Sequence, residues 1–351
     1  MTTNAHTNAV QLDEPIKVTI SFTHSCNLDC KICYANCTRT ASSKELTANQ
    51  WIDFLESLLD RGVMSLLFEG GEPLHRASDL IKVVQYCGRK FFTRIRTNGT
   101  LVTPKIAQEL KQLGVGGMLV DFLGAEAATH DYLTGVVGSH ERACRAVKYL
   151  RNAGLETEML LILNRYNAHQ LPAFHELATD LGVNMISILR LYPIGRAKHR
   201  WKELSLSIEE MMSAIGELSH RDTVTVNHSW HPRNGNTCWQ MAAVNAYGDS
   251  IGCTYLRELV NFGNITEQSL LDTWCDPLYR TLRSGVVTES CTSCESTQGS
   301  CGGCRATAFA FHGRWDAPDP FCVSLNNGVD LRELPDWMLS ARPRPSSPTG
   351  A

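Results

Sequence analysis

Two hydrophobic periods alternate along the first 195 residues. Six short runs, IKVTISF (16–22), SLLFEGGEPL (65–74), FFTRIRTNG (91–99), GGMLVDFLG (116–124), LETEMLLIL (155–163) and NMISILRLYPIG (184–195), read as strands. Between them, apolar residues recur at helical spacing. Trp51, Phe54, Leu55, Leu58 and Leu59 share one face of a helix over Thr47 to Arg61. Further helices are predicted near 78–89, 103–113, 139–153 and 170–181, the last three stopping at Gly114, Gly154 and Gly182. Strand and helix in alternation predict an α/β fold of parallel strands joined by right-handed crossovers. Six units predict an open, partial barrel, whose ligands sit at the C-terminal ends of the strands.

Composition narrows the class. A chain of 351 residues can hold one large domain and a smaller one. A net charge of −3 gives no case for nucleic acid or an anionic membrane surface. No apolar run approaches the roughly 20 residues that span a bilayer. The start, MTTNAHTNAVQLDEP, lacks the basic and apolar regions of a signal peptide, so a cytoplasmic location is expected. Fourteen cysteines in a reducing compartment point to metal binding rather than disulfides. Four of them lie at 26–37 and eight at 238–322, which implies two metal-binding regions.

Cys26, Cys30 and Cys33 carry the first region, at C-x3-C-x2-C spacing just after the first strand. Iron–sulfur clusters are normally held by four thiolates, so three leave one iron open. A zinc knuckle prefers paired C-x2-C spacings and fits poorly. Gly70-Gly71-Glu72-Pro73 ends the second strand, Thr97-Asn98-Gly99 the third and Asp121 the fourth. These residues together resemble the radical S-adenosylmethionine (radical SAM) superfamily. The resemblance implies a partial (β/α)6 TIM-type barrel and a 4Fe–4S cluster on the three cysteines, with SAM on the open iron. It also implies reductive cleavage of SAM to a 5′-deoxyadenosyl radical that abstracts hydrogen from substrate. Tyr34, Gly70, Gly71, Glu72, Pro73, Thr97, Asn98 and Asp121 would then contact SAM, although TNG alone is an ordinary turn and Asp121 alone could cap a helix.

His130-Asp131-Tyr132-Leu133-Thr134-Gly135 and LYPIGRA (191–197) resemble the branch containing haem-maturation and peptide-modifying enzymes, with Thr134 in place of the usual arginine. Arg190 and Arg196 are candidate catalytic residues. Arg196 is expected at the barrel mouth, paired with a carboxylate, or else is a surface arginine.

In the second region, Cys238-x9-Gly248-x4-Cys253 is followed by Cys291-x2-Cys294-x6-Cys301-x2-Cys304 and then Cys322. This resembles the SPASM extension of radical SAM proteins, which carries two auxiliary 4Fe–4S clusters. By that resemblance Cys238, Cys253 and Cys304 hold auxiliary cluster I, and Cys291, Cys294, Cys301 and Cys322 hold auxiliary cluster II. Cluster I lacks an obvious fourth ligand: Cys275 is one candidate, a buried thiol on a helix is its other reading, and an open iron is the alternative. Cys37 has no assigned role, while Cys87 and Cys144 read as core thiols.

The expected division is a tail (1–14), a radical SAM barrel (15–226), a SPASM domain (227–331) and a disordered tail (332–351). Trp230, His231 and Arg233 are candidate substrate contacts. The favoured function is hydrogen abstraction from a small carboxylate-bearing metabolite, leading to decarboxylation or dehydrogenation, as in a blasticidin-type cytosylglucuronate decarboxylase. The features that favour it are LYPIGRA, the CGGCRA run (301–306), the mouth arginines, and a barrel that begins by residue 16 without room for a leader-binding domain. The alternatives are a peptide maturase with a separate recognition partner and a non-catalytic iron–sulfur protein. Flavodoxin or ferredoxin is the expected electron donor.

Overall fold

The structure, a computed structural model, describes residues 12–218, 223–228, 238–284, 287–288, 303–322 and 328–340. All six expected strands are present: β1 (Lys17–Thr23), β2 (Ser65–Gly70), β3 (Phe92–Thr97), β4 (Gly117–Phe122), β5 (Thr157–Ile162) and β6 (Met185–Leu189). Two more, β7 (Thr225–His228) and β8 (Met241–Val244), extend the parallel sheet to eight strands in the order β7-β6-β5-β4-β3-β2-β1-β8. Each has four residues, too few to show a period. β8 lies beyond the expected end of the barrel and pairs with β1, Lys17 opposite Met241. β6 stops at Leu189, so the sequence from Arg190 to Ile194 leaves the sheet earlier than its apolar pattern suggested.

The crossovers contain α1 (Ala48–Ser57), α2 (Ala77–Cys87), α3 (Pro104–Gln112), α4 (Ala127–Thr134), α5 (Ser139–Asn152) and α6 (Leu171–Asp180). Thr47 and Gln50 close a capping box at the start of α1. That helix turns Trp51, Phe54 and Leu55 inward, and Phe22 of β1 stacks on Trp51 with ring centroids 6.1 Å apart. Helix α4 was not expected, because AATHDYLT has no sustained apolar face. The chain then forms α7 (Gly195–His199), α8 (Trp201–Leu204) and α9 (Ile208–Gly216), and after β8 come α10 (Leu270–Trp274), α11 (Pro277–Ser284), α12 (Arg305–His312) and α13 (Asp336–Leu339). No helix among the described residues is long and apolar enough to cross a membrane.

The sheet buries both faces, one apolar and one polar. Val18, Ile20 and Phe22 alternate with buried Thr19, Ser21 and Thr23 along β1. On the polar face Arg94 of β3 pairs with Glu158 of β5, which also accepts the hydroxyl of Ser187 on β6. Two residues along β3, Arg96 pairs with Asp121 of β4 and Glu69 of β2.

The expected disorder from 332 does not hold for residues 332–340. Helix α13 buries Met338 completely, Trp337 meets Phe309 edge-on, and Trp201 donates to the Leu331 carbonyl at 2.7 Å. Arg190, a candidate catalytic residue, is likewise structural. Its guanidinium is buried at 3% exposure and donates to Asp319 at 2.9 Å, joining the end of β6 to the extension. Burial works against ionisation of Asp319, but Arg190 and the Cys304 and Phe321 amides outweigh it and hold the carboxyl below its usual range. Replacing Arg190 by Met should therefore cost about 3 kcal/mol or more, because it strands a buried carboxylate without its cation. Chemical denaturation measures this, and a loss no larger than that of a surface arginine variant would show that the pair is not needed.

Candidate active site

Four parallel strands, β2 to β5, end around one open pocket. The loop after β1 brings Cys26, Cys30 and Cys33 to its wall. That loop has little regular structure of its own, and its backbone is satisfied by neighbours. The Cys26 amide donates to the Thr38 carbonyl at 2.8 Å, and the Asp29 and Lys31 amides donate to Thr134 and Leu133 at the end of α4, at 2.9 and 2.8 Å. From the other side, the Arg196 amide donates to the Cys33 carbonyl at 2.8 Å. Gly195 makes that approach feasible: its φ is +61°, and a Cβ there would collide with the Cys33 and Tyr34 carbonyl oxygens.

Gly70 and Gly71 line the cavity, but the close approach they permit is to the chain itself. The Gly71 amide donates to Thr23 at 2.7 Å and the Glu72 amide to Ser25 at 2.8 Å, and a Cβ on Gly71 would collide with the Ser25 carbonyl. Glu72 and Pro73 lie behind the cavity wall. Fully buried, Glu72 accepts the Leu74 amide at 3.0 Å, the Thr97 hydroxyl at 2.7 Å and the Asn98 amide at 2.7 Å. It thus fastens β3 to β2. Thr97 and Asn98 line the cavity, and the Asn98 amide group donates to Asn27 at 3.0 Å, reaching into the cysteine loop.

Asp121 also lines the cavity and is not a helix cap. It accepts Arg96 through both oxygens, with Nε at 3.0 and 2.9 Å and Nη2 at 2.9 Å. Burial raises its pKa and Arg96 opposes that rise. Glu69 completes the group, 3.6 Å from Arg96, and accepts Thr254 of the extension at 2.6 Å. Sequence reasoning missed Glu69 and Arg96. Tyr34 forms part of the wall beside them, its ring below Arg257 at 5.0 Å and edge-on to Tyr255.

Two other lining residues had weak or no sequence signal. Cys37 hydrogen-bonds to Cys33, holding the Cys33 thiol well below its usual range and raising its own. The Nδ1 of His130 accepts the Leu123 amide at 3.2 Å, and burial pushes its pKa down to about 3, so the ring is neutral. Asp131 holds the start of α5, accepting Gly138 and His140 amides at 2.6 and 2.9 Å, and Thr134 bonds Ser139 at 2.6 Å.

Arg196 is engaged by the cysteine loop. Its guanidinium pairs with Asp29 of the cysteine loop and hydrogen-bonds to Cys33, so it is a clamp on that loop. Trp230, His231 and Arg233 lie outside the described residues, as do Cys291, Cys294 and Cys301. Cys322 is buried and donates its amide to Asp319 at 2.9 Å.

Cys238, Cys253 and Cys304 come together from three parts of the extension to line a second, smaller pocket. Asp319 accepts the Cys304 amide at 2.7 Å, so Arg190 and Cys304 share one anchor. Cys275 does not line that cavity and is exposed, which overturns both its readings, as fourth ligand and as buried thiol.

Both cavities fit the groups their cysteines imply. Among the described residues no three His, Cys, Asp or Glu side chains close on a single ion, whereas three thiols share the wall of each pocket, the soft donor set that iron–sulfur clusters take. Burial and neighbouring Glu72 push the Cys26 thiol up to about 12, and burial with Cys33 and Cys26 raises the Cys30 thiol as well, so ionising them calls for a bound cation. The first cavity has two carboxylates against the single guanidinium of Arg96, a floor suited to a sulfonium.

Comparison with known proteins agrees with this geometry. Residues 20–178 match the model of the radical SAM superfamily, and residues 237–295 match that of SPASM, an iron–sulfur cluster-binding domain. The chain belongs to the radical SAM superfamily of enzymes and carries a SPASM extension, with SAM and 4Fe–4S clusters as its cofactors. It is 27% identical to an AdoMet-dependent heme synthase of Methanosarcina barkeri, over 91% of this chain and 98% of that one. It is also 27% identical to a PqqA peptide cyclase of Bradyrhizobium diazoefficiens, over 88% of this chain and 86% of the relative. Among solved structures, Streptococcus suis SuiB bound to the precursor peptide SuiA superposes with a TM-score of 0.72 at 20% identity, covering 89% of this chain and 77% of that one, and shows the shared fold.

Burial pushes the Glu72 carboxyl up to about 7, from an ordinary 4.5, against the pull of its three donors. In the cluster-free chain, the stability tied to this group is fully present below about pH 4.5. It is lost as pH rises through about 7, by about 3 kcal/mol. Glu72→Gln should remove most of that slope when denaturation is compared at about pH 5 and about pH 8. An unchanged slope in the variant would mean that Glu72 ionises as an ordinary carboxyl.

Proposed function

We propose that this chain is a radical SAM maturase that modifies a side chain of a ribosomally made peptide presented by a separate recognition partner. The observation that carries this reading is the similarity to a PqqA peptide cyclase over 88% of this chain and 86% of that protein. A second observation weakens the small-carboxylate reading. Arg190 and Arg196, the residues that were to bind a substrate acid, already pair with Asp319 and Asp29.

In this reading Cys26, Cys30 and Cys33 hold the SAM cluster. Tyr34, Gly70, Gly71, Thr97, Asn98 and Asp121 form the SAM pocket, with Glu72 and Pro73 supporting it from behind. Cys238, Cys253 and Cys304 hold auxiliary cluster I, and Cys291, Cys294, Cys301 and Cys322 hold auxiliary cluster II. A flavodoxin or ferredoxin supplies the electron. When bound, these groups supply electron transfer and hydrogen-atom abstraction. The chain contributes position and charge: Asn98 and Arg196 fix the cysteine loop, the Glu69–Arg96–Asp121 group sets a negative floor, and the neutral His130 presents an imidazole wall.

A second reading, a small carboxylate-bearing metabolite, is favoured by the heme synthase relative, of which the match covers 98%. Its narrower form, a nucleoside-sugar decarboxylase, finds no support in these relatives. Fold leaves the choice of substrate open.

Reconstituted anaerobically and given SAM and dithionite, the protein should form 5′-deoxyadenosine, and a triple Cys26→Ala, Cys30→Ala, Cys33→Ala variant should form none while losing about four irons per chain. Candidate precursor peptides should bind and leave with altered mass in the same assay. Deoxyadenosine formation that responds to carboxylate metabolites and to no peptide would sink the maturase reading.

A further inference from the structure

Arg305 opens α12, directly after Cys304, and is only 2% exposed. Its Nη1 donates to the carbonyls of Trp315 and Ala317, at 2.7 and 2.8 Å. Its Nε and Nη2 are sealed from solvent and have no hydrogen-bond partner among the described residues. The guanidinium lines the same pocket as Cys238, Cys253 and Cys304, and among the described residues no carboxylate lines it.

A guanidinium keeps its proton in a protein, and a buried cation without an anion is costly. The two carbonyls solvate one nitrogen but supply no charge. The missing anion must therefore arrive with whatever the cysteines bind. Thiolates with iron and sulfide are anionic, and their sulfurs accept hydrogen bonds.

We propose that Arg305 is the charge partner and hydrogen-bond donor of the auxiliary cluster held by Cys238, Cys253 and Cys304, a positioning residue that raises that cluster's reduction potential. This rests on the cluster reading of those three cysteines. Reduction adds negative charge, so a fixed cation with free N–H groups favours the reduced form. Lysine keeps the charge without the planar fork and should replace it in part.

The test uses the whole, anaerobically reconstituted enzyme as wild type, Arg305→Gln and Arg305→Lys, with iron and sulfide counted per chain and the clusters titrated by EPR-monitored potentiometry. A Cys238→Ala, Cys253→Ala variant identifies which signal belongs to this cluster. If its iron content equals wild type, the underlying cluster reading fails, separately from the role of Arg305. With that control passed, Arg305→Gln should shift the identified midpoint to more negative potential, and Arg305→Lys should shift it less. Where Arg305→Gln loses the cluster, retention in Arg305→Lys at a more negative midpoint supports the same role. Unchanged midpoints in the variants that retain the cluster would overturn it. So would loss of the cluster from both variants, which would leave Arg305 as a brace for the loop carrying Trp315 and Ala317.

Discussion

The arrangement depends on Arg96 and the two carboxylates that hold it. β2, β3 and β4 each deliver one charged side chain to the same point inside the sheet: Glu69, Arg96 and Asp121. A buried ion pair is weak evidence for stability, since packed apolar residues of the same volume often serve as well. What apolar residues could not supply is the charge. Two carboxylates set against one guanidinium give this buried group more acid than base at the floor of the larger pocket. Glu69 also accepts the Thr254 hydroxyl, so the same group links barrel and extension.

Above that floor, the cysteine loop is rigid for a different reason. A few internal bonds, such as the Cys33 amide to the Cys30 carbonyl, are joined by bonds that tie its amides and carbonyls to α4, to Thr38 and to the Gly195–Arg196 turn. Three separate segments therefore have to be folded before the three thiols point at one place. Cluster ligands held this way lose little conformational freedom on loading, which is how a protein supplies position to a cofactor that carries its own chemistry.

The parts of this design that were legible in the sequence are those with a local signature. The six main strands, the five principal crossover helices and the two cysteine groups follow from period and spacing. Residues whose meaning comes from a distant partner were not legible. Arg190 and Arg196 looked like substrate ligands because Asp319 and Asp29 stand 129 and 167 residues away in the chain. Arg96 sits in FTRIRT, where a strand reading expects a solvent face, and the barrel interior supplies it with carboxylates instead. The glycines of GGEP leave no room for a Cβ because the backbone of Thr23 and Ser25 approaches them, a contact that no local pattern announces. Four-residue strands such as TVNH and MAAV give no period at all, and only pairing to an existing edge makes them strands.

Asp319 shows how the two metal regions are kept in register. Its two oxygens accept Arg190 from the end of β6, the Cys304 amide, the Thr307 hydroxyl and the Phe321 amide. One carboxylate thereby fixes a ligand of the smaller cavity, the first turn of α12 and the approach to Cys322 against the barrel. Nearby, Tyr192 of the segment after β6 stacks on Tyr255 of the extension, with centroids 3.5 Å apart. The segment that follows carries Gly195 and Arg196 to the cysteine loop. A short stretch after one strand therefore touches both thiol trios. A change in its course would move both sites at once, which is a physical reason for the density of buried charge and aromatic stacking along it.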